Sequence, residues 1–133
     1  MTKNELCELA KQAMKNSYSP YSSCTVGAAL LAESGKVYLG CNIENASFSP
    51  TICAERSAFA SAISAGERKF KALAVTGGKN GGIEGAFYPC GVCRQVIREF
   101  CGDDFPIYVL DKNGINSLKL KDLLPYSFSN EVM

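Results

Sequence analysis

The segment SPTICAERSAFASAISAG, residues 49–66, carries the signals for one central helix of the fold. Its opening Ser-Pro pair is a strong helix start, because serine caps free amides and proline has no amide hydrogen to leave unpaired. The closing glycine favours termination of the helix. We therefore predict a helix from Ser49 to about Ala65, with Cys53-Ala54-Glu55 in its first turn.

A second predicted helix start, Pro89-Cys90-Gly91-Val92-Cys93, carries two more cysteines. This helix is expected to end at Gly102. Backbone amides and the positive end of a helix lower the pKa of a thiol, and the thiolate is the form that binds metal. If the two helix starts meet, three thiolates converge on one ion. A zinc site with three protein ligands keeps a position for water, and Glu55 is near enough to reach that water.

The sequence around these two helices predicts a single α/β domain over residues 1–133. A capping box and apolar residues at helical spacing predict an N-terminal helix that stops near Asn16. The glycine-rich stretch Gly77–Gly85 is expected to be a loop. Strands are predicted at Thr25–Ala32, Lys36–Asn42, Lys71–Thr76, Phe105–Leu110 and Ser117–Leu120. This order favours one mixed sheet with helices on its faces.

Composition and charge exclude several classes of function. The 133 residues carry a formal net charge of +1, which gives no electrostatic basis for binding a nucleic acid polymer or an anionic membrane. Histidine is absent, so imidazole bases and histidine metal ligands are excluded. Seven cysteines cannot all pair within one chain, and no apolar run reaches the length of a membrane span. We expect a reducing, cytoplasmic setting.

The two cysteine segments together resemble the signature of the zinc nucleoside deaminases, in the form where cysteine replaces histidine as first ligand. The chain as a whole is similar to the small homotetrameric cytidine deaminases. That similarity extends over YSPYS at 18–22, VGAAL at 26–30, GCNIENA at 40–46 and LLP at 123–125. The resemblance implies the family's three-layer α/β/α architecture with a mixed sheet.

The same resemblance implies a reaction and a cofactor. Cytidine and deoxycytidine are expected to be deaminated hydrolytically to uridine and deoxyuridine, as in pyrimidine salvage. One Zn²⁺ per subunit is expected on Cys53, Cys90 and Cys93. Glu55 is expected to move protons between the activated water, the base and the departing ammonia. The implied partners are a small nucleoside and the other subunits of a homotetramer.

Five further residues are implied in substrate binding. The Ala54 amide is expected to donate to cytosine O2, and the Tyr88 carbonyl to accept from the leaving ammonia. Asn42 and Glu44 resemble the family's contacts to the ribose. Phe128 is expected to close the site of a neighbouring subunit.

Arg56 resembles an arginine that follows the catalytic glutamate in the three-cysteine branch. Three thiolates exceed the charge of Zn²⁺ by one, and an arginine that donates to sulfur offsets part of that excess. Three positions depart from the family pattern. Cys24 stands where phenylalanine is frequent, Phe48 stands where tyrosine is common, and Tyr88 replaces a small hydroxyl residue.

Other interpretations of these residues remain open at this point. The three cysteines are also compatible with packed thiols, or with a closed structural zinc site that takes Cys24 or Cys41 as its fourth ligand. The chain could deaminate a different aminated pyrimidine nucleoside, or could be a zinc-stabilised module without enzymatic activity. A deaminase that edits polynucleotides is disfavoured by the near-neutral charge.

Overall fold

The computed structural model describes residues 1–133 and contains one five-stranded mixed sheet. The helices are α1 Lys3–Met14, α2 Ala54–Ser64, α3 Gly91–Phe100 and α4 Leu120–Leu123, with a 3₁₀ turn at Asn130–Val132. The strands are β1 Cys24–Ala32, β2 Val37–Cys41, β3 Phe70–Lys79, β4 Pro106–Asp111 and β5 Gly114–Lys119. Their order is β2-β1-β3-β4-β5, with β3 and β4 parallel and all other pairs antiparallel. The predicted mixed sheet is confirmed. None of the helices combines the length and the apolar character needed to cross a bilayer.

The sheet separates two hydrophobic cores, because alternate residues of a strand face opposite sides. On one side, α2 and α3 contribute Phe59 and Ile97 to a cluster that also contains Leu73 of β3. On the other side, α1 packs Leu6 and its apolar neighbours against small residues of β1 and β3, including Ala74. The helices therefore form two outer layers around the sheet.

Glycine permits close contact between helix and sheet at two places. A Cβ atom at Gly40 of β2 would overlap the carbonyl oxygen of Ala54 and the amide nitrogen of Ala58, both in α2. A Cβ atom at Gly27 of β1 would overlap the Ala10 carbonyl oxygen in α1. Because backbone meets backbone directly at Gly40, the first turn of α2 has a fixed position on the edge strand.

Both helices that carry the cysteines begin later than predicted. The predicted start of α2 at Ser49 is wrong, since the helix begins at Ala54 and Cys53 is its N-cap. The residues before it are extended because Ile52 pairs with Ile43, each amide donating to the other's carbonyl at 3.0 Å. Likewise, α3 begins at Gly91 with Cys90 as N-cap, and not at Pro89.

The predicted loop Gly77–Gly85 starts too early, although residues 80–85 do lie outside the strands and helices. Strand β3 continues through Lys79 and pairs with residues 24–26 of β1. Gly77 and Gly78 are buried, and a Cβ at Gly78 would overlap the Gly82 carbonyl oxygen. Small residues are needed here because the following turn folds back directly onto the end of the strand.

Gly40→Ala is expected to lower the free energy of unfolding by about 3 kcal/mol, because the added methyl group meets helix backbone that cannot rotate away. Urea unfolding followed by circular dichroism measures this change. Gly102→Ala is the matched control, since no atom lies within 4 Å of its built Cβ. Equal unfolding midpoints for the Gly40→Ala variant and the parent chain would contradict a rigid contact between α2 and β2.

Candidate metal centre and cavity

The starts of α2 and α3 bring three thiols together, as the sequence predicted. The sulfur atoms of Cys53, Cys90 and Cys93 all lie within 4.8 Å of one another, and the Sγ atoms of Cys53 and Cys90 are 3.8 Å apart. Neither Cys24 nor Cys41 belongs to this group. A closed site with one of them as fourth ligand is therefore not formed.

The helix starts favour negative charge on this cluster. Cys53 and Cys90 are the N-cap residues of helices of 11 and 10 residues, whose positive ends stabilise thiolate. The Cys90 sulfur also accepts a hydrogen bond from the Cys93 amide at 3.5 Å. A hydrogen bond from the Cys93 thiol, followed by the Arg56 guanidinium, lowers the pKa of Cys53 well below the usual thiol value.

The donor set suits zinc. Three cysteine sulfurs are soft ligands of the kind that Zn²⁺ prefers, and three such ligands leave room for a fourth, exchangeable one. Their spacing within 4.8 Å fits convergence on a single ion. The residues therefore fit the group that the family resemblance implies.

Glu55 lies in the first turn of α2 and is only 4% exposed. Burial raises the pKa of its carboxyl to about 7, and the nearby negative charge of Cys53 acts in the same direction. A carboxyl group that titrates near neutrality can both accept and donate a proton under physiological conditions.

A cavity of about 240 Å³ opens beside the thiols and holds most of the predicted site. It is lined by seven of the residues that the sequence singled out: Asn42, Glu44, Cys53, Ala54, Glu55, Tyr88 and Cys90. Phe128 is not among them; it is 62% exposed, and its carbonyl accepts from the Gln95 side chain at 3.0 Å. Its contact with a neighbouring subunit stays a prediction.

Backbone groups fix the two polar side chains at one side of the cavity. The Asn42 amide group donates to the Cys24 carbonyl at 2.8 Å and accepts from the Val26 amide at 2.9 Å. The Glu44 carboxylate accepts from the backbone amides of residues 21–22 at 3.0 and 3.1 Å, and from a serine hydroxyl. That hydroxyl, followed by the amides, lowers the pKa of Glu44. Glu44 is thus held ionised and oriented.

Arg56 makes the contact with sulfur that the resemblance implied. Its Nη2 atom is 3.7 Å from the Cys53 sulfur and also donates to the Thr51 carbonyl at 3.3 Å. Its Nε atom is buried without a hydrogen-bond partner. The guanidinium group therefore brings positive charge to the thiol cluster.

A second arginine holds the loop that carries Cys90. The Arg94 Nε atom donates to the Pro89 carbonyl at 2.6 Å, and Nη1 donates to the Leu123 carbonyl at 2.7 Å. These bonds tie the loop before α3 to the end of α4. Sequence reasoning missed this residue, although its place directly after Cys93 was a usable signal.

The apolar lining of the cavity was also missed. Val26, Ile52 and Phe87 contribute to its wall together with Thr51. Phe87 directly precedes Tyr88, so its proximity to the site was readable from the sequence. The contribution of Val26 to the wall depends on pairing between strands that are far apart in the sequence, so it was not readable from the sequence.

Comparison with known proteins identifies close relatives. Residues 1–109 match the family model described as the cytidine and deoxycytidylate deaminase zinc-binding region. A cytidine deaminase of Sporosarcina psychrophila is 49% identical over 132 residues, which cover 98% of this chain and 94% of the relative. One from Halalkalibacterium halodurans is 42% identical, covering all of this chain and 98% of the relative.

Solved structures resemble the chain over nearly its full length. The crystal structure of a cytidine deaminase from Burkholderia pseudomallei has a TM-score of 0.87 and 42% identity, and covers 96% of this chain and all of that one. This likeness confirms the predicted three-layer α/β/α fold.

Glu55→Gln is expected to stabilise the chelator-treated protein at high pH. Because the folded-state pKa is raised from 4.5 to about 7, ionisation of Glu55 costs stability as the pH rises through this window, and the cost is complete above pH 7. The glutamine variant avoids this cost and should gain about 3 kcal/mol in the free energy of unfolding at pH 8. Urea unfolding at pH 4.5 and 8 measures the difference.

Glu99→Gln, on the exposed side of α3, is the control and should change little at either pH. A gain from Glu55→Gln of equal size at both pH values would contradict the raised pKa of the buried carboxyl.

Proposed function

The chain belongs to the cytidine and deoxycytidylate deaminase family, and from this membership we propose that it hydrolyses cytidine and deoxycytidine to uridine and deoxyuridine, releasing ammonia. One observation carries the proposal: a cavity of about 240 Å³ is lined by a buried carboxyl, Glu55, and by two members, Cys53 and Cys90, of a cluster of three converging thiols. Such a site joins a zinc centre to a group that transfers protons. We assign the reaction to pyrimidine salvage.

Cys53, Cys90 and Cys93 would hold one Zn²⁺ per subunit. When bound, zinc supplies a nucleophile at neutral pH by lowering the pKa of a coordinated water to about 7. Glu55 accepts a proton from the attacking water and delivers it to ring nitrogen N3. It then takes a second proton from the hydroxyl formed at C4 and passes it to the departing amine, which leaves as ammonia. Its pKa of about 7 supports both directions of transfer.

The remaining lining residues orient the nucleoside. The Ala54 amide donates to the base oxygen O2, and the Tyr88 carbonyl accepts from the leaving ammonia. Asn42 and Glu44 bind a sugar hydroxyl, and the backbone hydrogen bonds that fix both side chains support this role. A free base lacks the sugar hydroxyl that these two side chains would bind, which selects for nucleosides.

The active assembly is a homotetramer in the cytoplasm. A cavity of about 240 Å³ lies below the lower end of typical ligand pockets, roughly 300 Å³, so neighbouring subunits complete it. Exposed aromatic side chains, Phe48 at 81% and Phe128 at 62%, support such contacts. Seven free cysteines, with no disulfide between them, support a reducing compartment.

The decisive test is an ultraviolet assay of cytidine turnover with zinc quantified in the same sample. The wild-type protein should consume cytidine and deoxycytidine, but not cytosine. Glu55→Gln should retain zinc and lose about 10²–10⁴-fold in kcat, because the proton carrier is gone while the ligands remain. Zinc without turnover of any aminated pyrimidine would favour a non-enzymatic module, and turnover only of a modified cytosine nucleoside would indicate a different substrate.

Arg56→Gln should keep the metal but lower kcat roughly 10-fold or more, because the thiolate charge is no longer offset. Arg68→Gln is the matched control, since this exposed arginine donates only to the Ile63 and Glu67 carbonyls. Steady-state kinetics and zinc analysis report both effects. Wild-type rate and zinc content in the Arg56→Gln variant would refute its role beside Cys53.

A further inference from the structure

We propose that Phe87 packs against the pyrimidine ring of the substrate and that Gly77 sets the position of the Phe87 ring. The two residues together determine how wide the base-binding part of the cavity is. This inference rests on the proposed function, because it assigns the base to the cavity beside Glu55. It makes Phe87 a specificity-determining residue and Gly77 a positioning residue.

The contact between the two residues follows from the pairing of β1 and β3. Gly77 lies directly opposite Val26 in that ladder. A Cβ atom built on Gly77 would be 3.0 Å from Cγ2 of Val26 and 3.2 Å from Cγ of Phe87. The same Cβ would lie 3.0 Å from the Thr25 carbonyl oxygen, and the aromatic ring would have to shift by a few tenths of an ångström, in an arrangement where an aromatic residue covers a strand glycine.

The turn after β3 places Phe87 next to Gly77. The Glu84 side chain accepts from the Lys79 amide at 2.7 Å, and the Glu84 amide donates to the Gly77 carbonyl at 3.2 Å. Gly78 and Gly82 permit the close return of the chain. The turn is therefore bonded to the end of the strand, and only two residues, Gly85 and Ala86, separate Glu84 from Phe87.

Phe87 and Val26 form an apolar part of the wall of a cavity that polar side chains also line. Both line the cavity that contains Glu55 and Asn42. The backbone amide of Val26 donates to the Asn42 side chain at 2.9 Å, so this wall adjoins the proposed sugar contact. A flat pyrimidine ring held between the sugar site and Glu55 can pack against this apolar surface. Stacking of a base on an aromatic side chain contributes substantially to binding affinity.

The test compares steady-state kinetics and zinc content of four variants with the wild-type holoenzyme. Phe87→Ala should raise KM for cytidine about 10-fold, with kcat and zinc content within about twofold of wild type. Phe87→Tyr keeps the ring and should restore KM to within about twofold. Gly77→Ala should raise KM several-fold because its methyl group pushes the ring. Gly85→Ala is the matched control, since nothing lies within 4 Å of its built Cβ.

A double-mutant cycle separates an effect through Phe87 from a general disturbance of the strand. In the Phe87→Ala background, Gly77→Ala should change KM less than it does alone, because the ring that it displaces is gone. Additive effects would overturn the coupling. An active wild-type enzyme with an unchanged KM in Phe87→Ala would overturn the role of Phe87 alone, whereas a wild-type protein inactive on cytidine would overturn the proposed function as well.

Discussion

The geometry of the thiol cluster depends on the direct backbone contact between α2 and β2. Cys53 immediately precedes Ala54, whose carbonyl oxygen rests on Gly40 with no room for a side chain between them. The edge strand therefore helps to position the N-cap sulfur, together with the pairing of Ile52 with Ile43 directly before it. On the opposing helix, Arg94 fixes the carbonyl of Pro89, the residue directly before Cys90. Two rigid backbone anchors thus set the separation of the sulfurs.

Two glutamates at the cavity have opposite protonation tendencies because their surroundings differ. Glu55 is buried with few donors, which raises the pKa of its carboxyl, whereas three hydrogen-bond donors lower the pKa of Glu44. A glutamate can therefore exchange protons at one position in the cavity, Glu55, and stay ionised at another, Glu44. Environments that separate two pKa values in this way are typical of acid–base sites.

Local signals in the sequence were sufficient for the order of the elements, and the resemblance to the deaminase family predicted the convergence of the cysteines. Local signals failed where structure depends on distant partners. The late start of α2 follows from the pairing of Ile43 with Ile52, and the extension of β3 through Gly77 follows from its pairing with β1. Composition alone made the glycine-rich stretch look like a loop. The contribution of Val26 to the wall follows from that same long-range pairing, so it was visible only in three dimensions.

The sheet separates the hydrophobic cluster formed by α1 from the two helices that carry the cysteines. The cluster formed by α1, with Leu6 and Ala10 at its centre, lies on the face opposite Phe59 and the metal-binding helices. Amino-acid changes around Leu6 would alter the packing of α1 on its face of the sheet, and the sheet lies between that cluster and the three cysteines.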